Sequence, residues 1–192
     1  MKLITAFFLS LVFSSTAVAQ PLAPFLGASM TARHGSSLVP ITHEKQIAYA
    51  DPTIVRVGST FYLTGTAYER LQGFSVLKSK DLKTWTPVGR LLTEGKQVYG
   101  DKGFWAPQFY KNGKTWQLAY TANEQVAVAE APKLPGPYTQ KLVKPVDASA
   151  KNIDPFVFTD DDGKSYLFHV RFNNGNFIWV AAYDKNTQTI DH

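Results

Sequence analysis

From residue 47 onward the chain alternates apolar and polar positions in short runs that break at glycine or proline. No stretch of useful length holds the three-and-four spacing of an amphipathic helix. Thr53 to Val57, Thr60 to Thr66, Phe74 to Lys78 and Thr86 to Leu91 predict a first four-stranded unit, with a turn at Gly58-Ser59 and Trp85 tucked back under the strands. In a second unit, Phe109-Tyr110 and Trp116 to Thr121 flank Asn112-Gly113, a strong tight-turn pair. Gln125 to Glu130 follows as its third strand, and prolines at 132, 135 and 137 mark a surface crossing to a short fourth. In a third unit, Phe156 to Phe158 and Ser165 to Arg171 flank Asp160-Asp161-Asp162-Gly163, and Phe177 to Tyr183 supplies one more strand. The prediction is an all-β chain.

The three units share a signature. Ala50-Asp51-Pro52-Thr53-Ile54, Trp105-Ala106-Pro107-Gln108-Phe109 and Ile153-Asp154-Pro155-Phe156-Val157 each place a small or acidic residue before proline and an apolar run after it. A glycine follows (Gly58, Gly113, Gly163), and three residues later an aromatic position (Phe61, Trp116, Tyr166). The prolines lie 55 and 48 residues apart. Hairpin repeats of this length read as blades of a β-propeller, in which each unit buries its apolar face only by stacking on its neighbours. The blades fall near 47–92, 103–145 and 151–192. Only the first and third carry aspartate before the proline, and that asymmetry points to chemistry.

Ahead of the blades, Met1-Lys2, an apolar stretch and Ala17-Val18-Ala19 form the basic, apolar and small-residue parts of a secretory signal. Residues 1–19 are therefore expected to be cleaved, leaving the protein secreted or periplasmic. The apolar stretch is too short for the roughly 20 residues of a membrane span, and no membrane association is expected. Residues 20–46, with prolines at 21, 24 and 40, read as an extended leader to a propeller domain over 47–192. The absence of cysteine leaves stability to packing. The formal charge of +5 comes from basic residues interspersed with acidic ones, as in Lys78-Ser79-Lys80-Asp81-Leu82-Lys83, which argues against a nucleic-acid stripe.

Taken together and in order, Ala50-Asp51-Pro52-Thr53-Ile54, Ser79-Lys80-Asp81-Leu82-Lys83-Thr84-Trp85, Phe104-Trp105-Ala106-Pro107 and Ile153-Asp154-Pro155-Phe156-Val157-Phe158 with Asp160-Asp161-Asp162-Gly163-Lys164 resemble the family-43 glycoside hydrolases. The resemblance runs from about residue 47 to the end. It implies a five-bladed propeller, of which about three blades stand here, and an inverting hydrolase of arabinose- or xylose-containing plant polysaccharides. It implies Asp51 as general base and Asp154 as the aspartate that orients and sets the pKa of the general acid. The acid itself is a glutamate opening the fourth blade, which the repeat period places near about residue 205, so this chain alone is expected to be poorly active. Elementary chemistry agrees, since inversion needs one carboxylate to deprotonate water and a carboxylic acid across the cavity to protonate the leaving oxygen.

Phe104 and Trp105 are the expected sugar-stacking residues, with core packing as the alternative for both. Gln108 stands where the family places glutamate and reads as structural or as a donor near the pocket. Asp160-Asp161-Asp162-Gly163 begins like a calcium loop, yet Arg171 occupies the twelfth position, so a solvated turn is expected. His34, His43, His169 and His192 show no metal-ligand spacing; His169 reads as a core or rim residue. No cofactor and no metal ligand are predicted. Glu124 and Glu130 are in-chain candidates for a substitute acid, although neither opens a blade. A rival reading is a non-catalytic sugar-binding or assembly module on the same scaffold. Three blades leave an open edge, which a second chain or self-association would cover.

Overall fold

The computed structural model describes residues 49–67, 73–92, 97–172 and 174–191. The predicted signal and leader, with His34, His43 and His192, lie outside them. The first sheet contains β1 (Tyr49–Val57), β2 (Thr60–Ala67), β3 (Ser75–Ser79) and β4 (Thr86–Arg90), each antiparallel to the last. The second contains β5 (Trp105–Asn112), β6 (Thr115–Ala122) and β7 (Gln125–Ala131). The third contains β8 (Asn152–Thr159), β9 (Ser165–Phe172), β10 (Asn176–Asp184) and the short β11 (Thr189–Ile190). These are three consecutive blades of an all-β propeller.

Local sequence explains the hairpins. Gly58 and Gly113 take φ of 60° and 57° at the first residue of their two-residue turns, a region closed to most side chains. Asp81 caps the β3–β4 connection: its carboxylate accepts the amides of Lys83 (2.8 Å) and Thr84 (2.7 Å), which holds its pKa down at about 2. Trp85 is buried behind that turn.

The fourth strand expected in the second blade does not form. Pro132, Pro135 and Pro137 lack the N–H a ladder needs, and in its place stands one antiparallel bridge, with Thr139 and Glu130 exchanging both backbone hydrogen bonds. Tyr138 instead reaches the first blade, donating its amide to the Leu91 carbonyl at 2.7 Å.

The core lies in the two interfaces between blades. Phe74, Val76, Leu91 and Leu92 of the first blade meet Phe104, Phe109, Leu118 and Tyr120 of the second. On the other side of that blade, Ala119, Val126 and Val128 meet Val157, Leu167 and Tyr183 of the third. Strict alternation along β7 produces this division, because Val126 and Val128 face one neighbour and Ala127, Ala129 and Ala131 the other. Full burial of each large side chain contributes about 1.5–3 kcal/mol. The second blade is thus covered on both faces, whereas on the third Phe156, Phe158, Ile178 and Val180 remain exposed.

Candidate active site

Each blade's innermost strand breaks register at its proline, between Ala50 and Thr53, between Trp105 and Gln108, and between Ile153 and Phe156. Proline has no N–H for the ladder, so the strand bulges there. The residue before each proline is disfavoured in the right-handed helical region by a clash with the ring. In all three blades it takes the left-handed one, at φ 47° for Asp51, 45° for Ala106 and 57° for Asp154. Such a conformation costs on the order of 1–3 kcal/mol, less for aspartate than for alanine. Its effect is to turn the side chain out of the normal alternation. Because β5 packs between β1 and β8, the three bulges bring Asp51, Ala106 and Asp154 to equivalent points on successive inner strands.

Two threonines tie these bulges across the blade boundaries. Thr66 on β2 donates its hydroxyl to Asp51 Oδ2 at 2.8 Å and accepts the amide of Ala106 at 2.8 Å. Thr121, in the same place on β6, accepts the amide of Asp154 at 3.0 Å. Neither was singled out from the sequence, where a threonine in a strand reads as a β-branched filler. One signal was present: each stands eight residues beyond its turn glycine.

Asp154 feels the charge of Asp51. The Asp154 carboxyl has its pKa raised, first by partial burial and then by the negative charge of Asp51. Both causes disfavour the ionised form. Replacing Asp51 with asparagine removes the second and leaves the first, so the Asp154 pKa is expected to fall part of the way to the ordinary aspartate value. Carboxyl-carbon NMR titration of Asp51→Asn measures it, and an unmoved Asp154 would show that the two do not share a cavity.

The two aromatic candidates part company. Trp105 is 39% exposed and pairs across the hairpin with Thr121, beside the amide contact to Asp154. Phe104 corrects the expectation of a sugar platform. It is 9% exposed, stacked on Tyr120 (centroids 6.0 Å apart, 18° between planes) and edge-on to Phe74 at 6.1 Å. It is a core residue, on the buried side of the loop that delivers Trp105. That loop is seated closely on β6: a Cβ on Gly100, whose φ is 99°, would stand 2.2 Å from Cβ of Ala122.

The remaining candidates are placed by their contacts. Gln108 clamps the third blade, donating Nε2 to the Val157 carbonyl (3.0 Å) and accepting the Val157 amide on Oε1 (2.6 Å), which is the structural of its two expected roles. Glu124 pairs with Lys151, and Glu130 with Lys141 at 3.1 Å. His169 is buried, and burial and then the charge of Arg171 pull its pKa down, so it stands as a neutral core residue. Asp160 to Gly163 forms the exposed β8–β9 turn, in which the Asp160 and Asp162 carboxylates accept the amides of Asp161 and Lys164.

The description "Glycosyl hydrolases family 43" fits residues 44–192. Among proteins similar to the chain, an endo-1,4-beta-xylanase structure from Bacteroides thetaiotaomicron shares 38% identity at a TM-score of 0.70, covering 74% of this chain and 50% of that one. A xylan 1,3-beta-xylosidase from a Vibrio species is 30% identical over 71% of this chain and 26% of its own length. An extracellular endo-alpha-(1->5)-L-arabinanase from Bacillus subtilis is 29% identical over 92% of this chain and 54% of its own. The chain therefore spans about half the length of such relatives or less. With three blades that each open on an X-Pro bulge, and with 149 of 192 residues inside the family match, the chain belongs to the family-43 glycosyl hydrolases.

Proposed function

We propose that the protein is an inverting glycoside hydrolase acting on arabinose- or xylose-containing polysaccharides or oligosaccharides, with Asp51 as general base and Asp154 as the residue that tunes the acid. One observation carries this reading: two carboxylates stand on matching strained bulges of the first and third blades, close enough for one to raise the pKa of the other, with only the methyl of Ala106 on the strand between. In the reaction, Asp51 takes a proton from water as its oxygen attacks the anomeric carbon. The bond to the leaving oxygen breaks, and that oxygen receives a proton from a carboxylic acid on the opposite side. Trp105 offers its exposed indole face to the apolar side of a sugar ring. The sugar class is supported by relatives whose names span xylanase, xylosidase and arabinanase.

Glu124 and Glu130 are held in lysine pairs, and the charge that perturbs Asp154 is that of Asp51. We therefore assign the general acid to a residue outside the described ones. The same observation favours a second reading, a sugar-binding module that keeps the pocket wall without hydrolysis. Incubation of the full-length protein with 4-nitrophenyl α-L-arabinofuranoside and β-D-xylopyranoside, with proton NMR of the first sugar released, tests the proposal. The first product is expected to have inverted anomeric configuration. Release with retention would overturn the mechanism, and binding of arabino- or xylo-oligosaccharides without any release would favour the module.

A further inference from the structure

We propose that Thr66 is a positioning residue for Asp51, holding the carboxylate at a fixed angle through a relay anchored in the backbone of the next blade. The inference rests on the reading of Asp51 as the base. A threonine hydroxyl has one proton, and an ionised carboxylate only accepts, so the 2.8 Å contact to Asp51 Oδ2 must use that proton. The Ala106 amide, at 2.8 Å, must then donate to the hydroxyl oxygen. The direction of both bonds is fixed: Ala106 N–H to Thr66 oxygen, Thr66 O–H to Asp51. A hydroxyl polarised by accepting one hydrogen bond is a better donor in the next. The stiff χ1 of a β-branched residue limits where that donor can point.

Engaging Oδ2 leaves Oδ1, which has no hydrogen-bond partner among the described residues, as the oxygen that meets water. Thr66 is also more than a repeated seam between blades. At the next boundary Thr121 holds the backbone of Asp154 rather than its carboxylate. In the third blade the same register position is Val170, which has no hydroxyl. Of these three positions, only the one beside the proposed base grips a carboxylate. The relay also explains how the strained bulge of the second blade, whose residue is the chemically inert Ala106, bears on the site: its left-handed backbone aims an N–H at the hydroxyl that orients the base.

The test compares Thr66→Val, which keeps the shape and removes the hydroxyl, with Thr66→Ser, which keeps the hydroxyl, and with Asp51→Asn. The full-length protein is assayed on 4-nitrophenyl glycosides for kcat and KM, and amide hydrogen exchange is followed at Ala106. Thr66→Val is expected to lower kcat by about 10- to 100-fold with KM within about twofold, since misplacing a reacting group by about 1 Å costs on the order of 10² in rate. Its Ala106 amide should exchange faster. Thr66→Ser should return kcat to within about threefold and restore exchange protection. If Thr66→Val keeps the parent kcat while Asp51→Asn loses it, Thr66 serves the blade seam alone and the proposal fails. Unaltered Ala106 exchange in Thr66→Val would remove the relay itself. Full activity in Asp51→Asn would instead bring down the assignment of the base, a result separable from either.

Discussion

In the full-length protein, Asp51→Asn is expected to lower kcat by about 10² or more while leaving the melting temperature nearly unchanged. Asparagine has the size of aspartate and presents an oxygen that accepts the Thr66 hydroxyl as Oδ2 does now. It is also among the residues that best tolerate the left-handed region, so the φ of 47° adds no new strain. What it cannot do is take a proton from water. General base catalysis contributes about 10² to 10⁴-fold, and the loss should fall on kcat and kcat/KM alike, the mark of an interaction made in the transition state. If Asp51 is only a turn residue, the substitution should lower the melting temperature and leave the rate of the folded fraction intact. Measuring both quantities on the one variant separates the readings, and a folded, fully active Asp51→Asn protein would end the assignment.

The positions of Asp51 and Asp154 were legible because the repeat exposes them: aspartate before proline in two copies and alanine in the third is visible in the bare chain. Their conformation was not. A residue before proline reads as extended, and what sends all three into the left-handed region is the bulge, a matter of pairing with β2, β6 and β9. The strands and tight turns were readable from glycine punctuation and period-two alternation. The missing fourth strand of the second blade was not, because the segment splits its backbone bonds between blades, Thr139 bonding to Glu130 of its own blade and Tyr138 to Leu91 of the first. Thr66 escaped notice for a related reason: its two partners lie 15 and 40 residues away, on two different blades.

Blade stacking also decides which residues can serve the site. A strand in the second blade has no free face, so Leu118, Ala119 and Tyr120 are all fully buried although they follow one another in sequence. Alternation, which elsewhere separates core from surface, separates one neighbour from the other here. Side chains reach solvent in that blade at the ends of its strands, and Trp105 stands at such an end, as the first residue of β5. The bulge and the strand end therefore work together: one turns Asp51 and Asp154 out of the alternation, and the other frees an aromatic face beside them.

That geometry sets up the second large expected effect, which falls on stability rather than rate. Phe104→Ala should cost about 3–5 kcal/mol, the usual range for removing a buried phenylalanine. The ring stacks on Tyr120 and meets Phe74 edge-on, and both are fully buried with little room to collapse into the space. For a domain of this size such a loss lowers the melting temperature by about 6–20 °C. Trp105→Ala should do the opposite, leaving the melting temperature within about 2 °C and raising KM for sugar substrates, because its exposed face loses little burial and a stacked ring loses its platform. Thermal denaturation and steady-state kinetics on the two variants decide the matter. A stable Phe104→Ala protein with raised KM would return Phe104 to the binding surface, and a Trp105→Ala protein that melts early with unchanged KM would place the indole in the core. Adjacent in sequence and identical in chemical class, the two residues differ in placement: the Phe104 ring packs inward against Tyr120 and Phe74, and Trp105, the first residue of β5, keeps part of its ring at the surface.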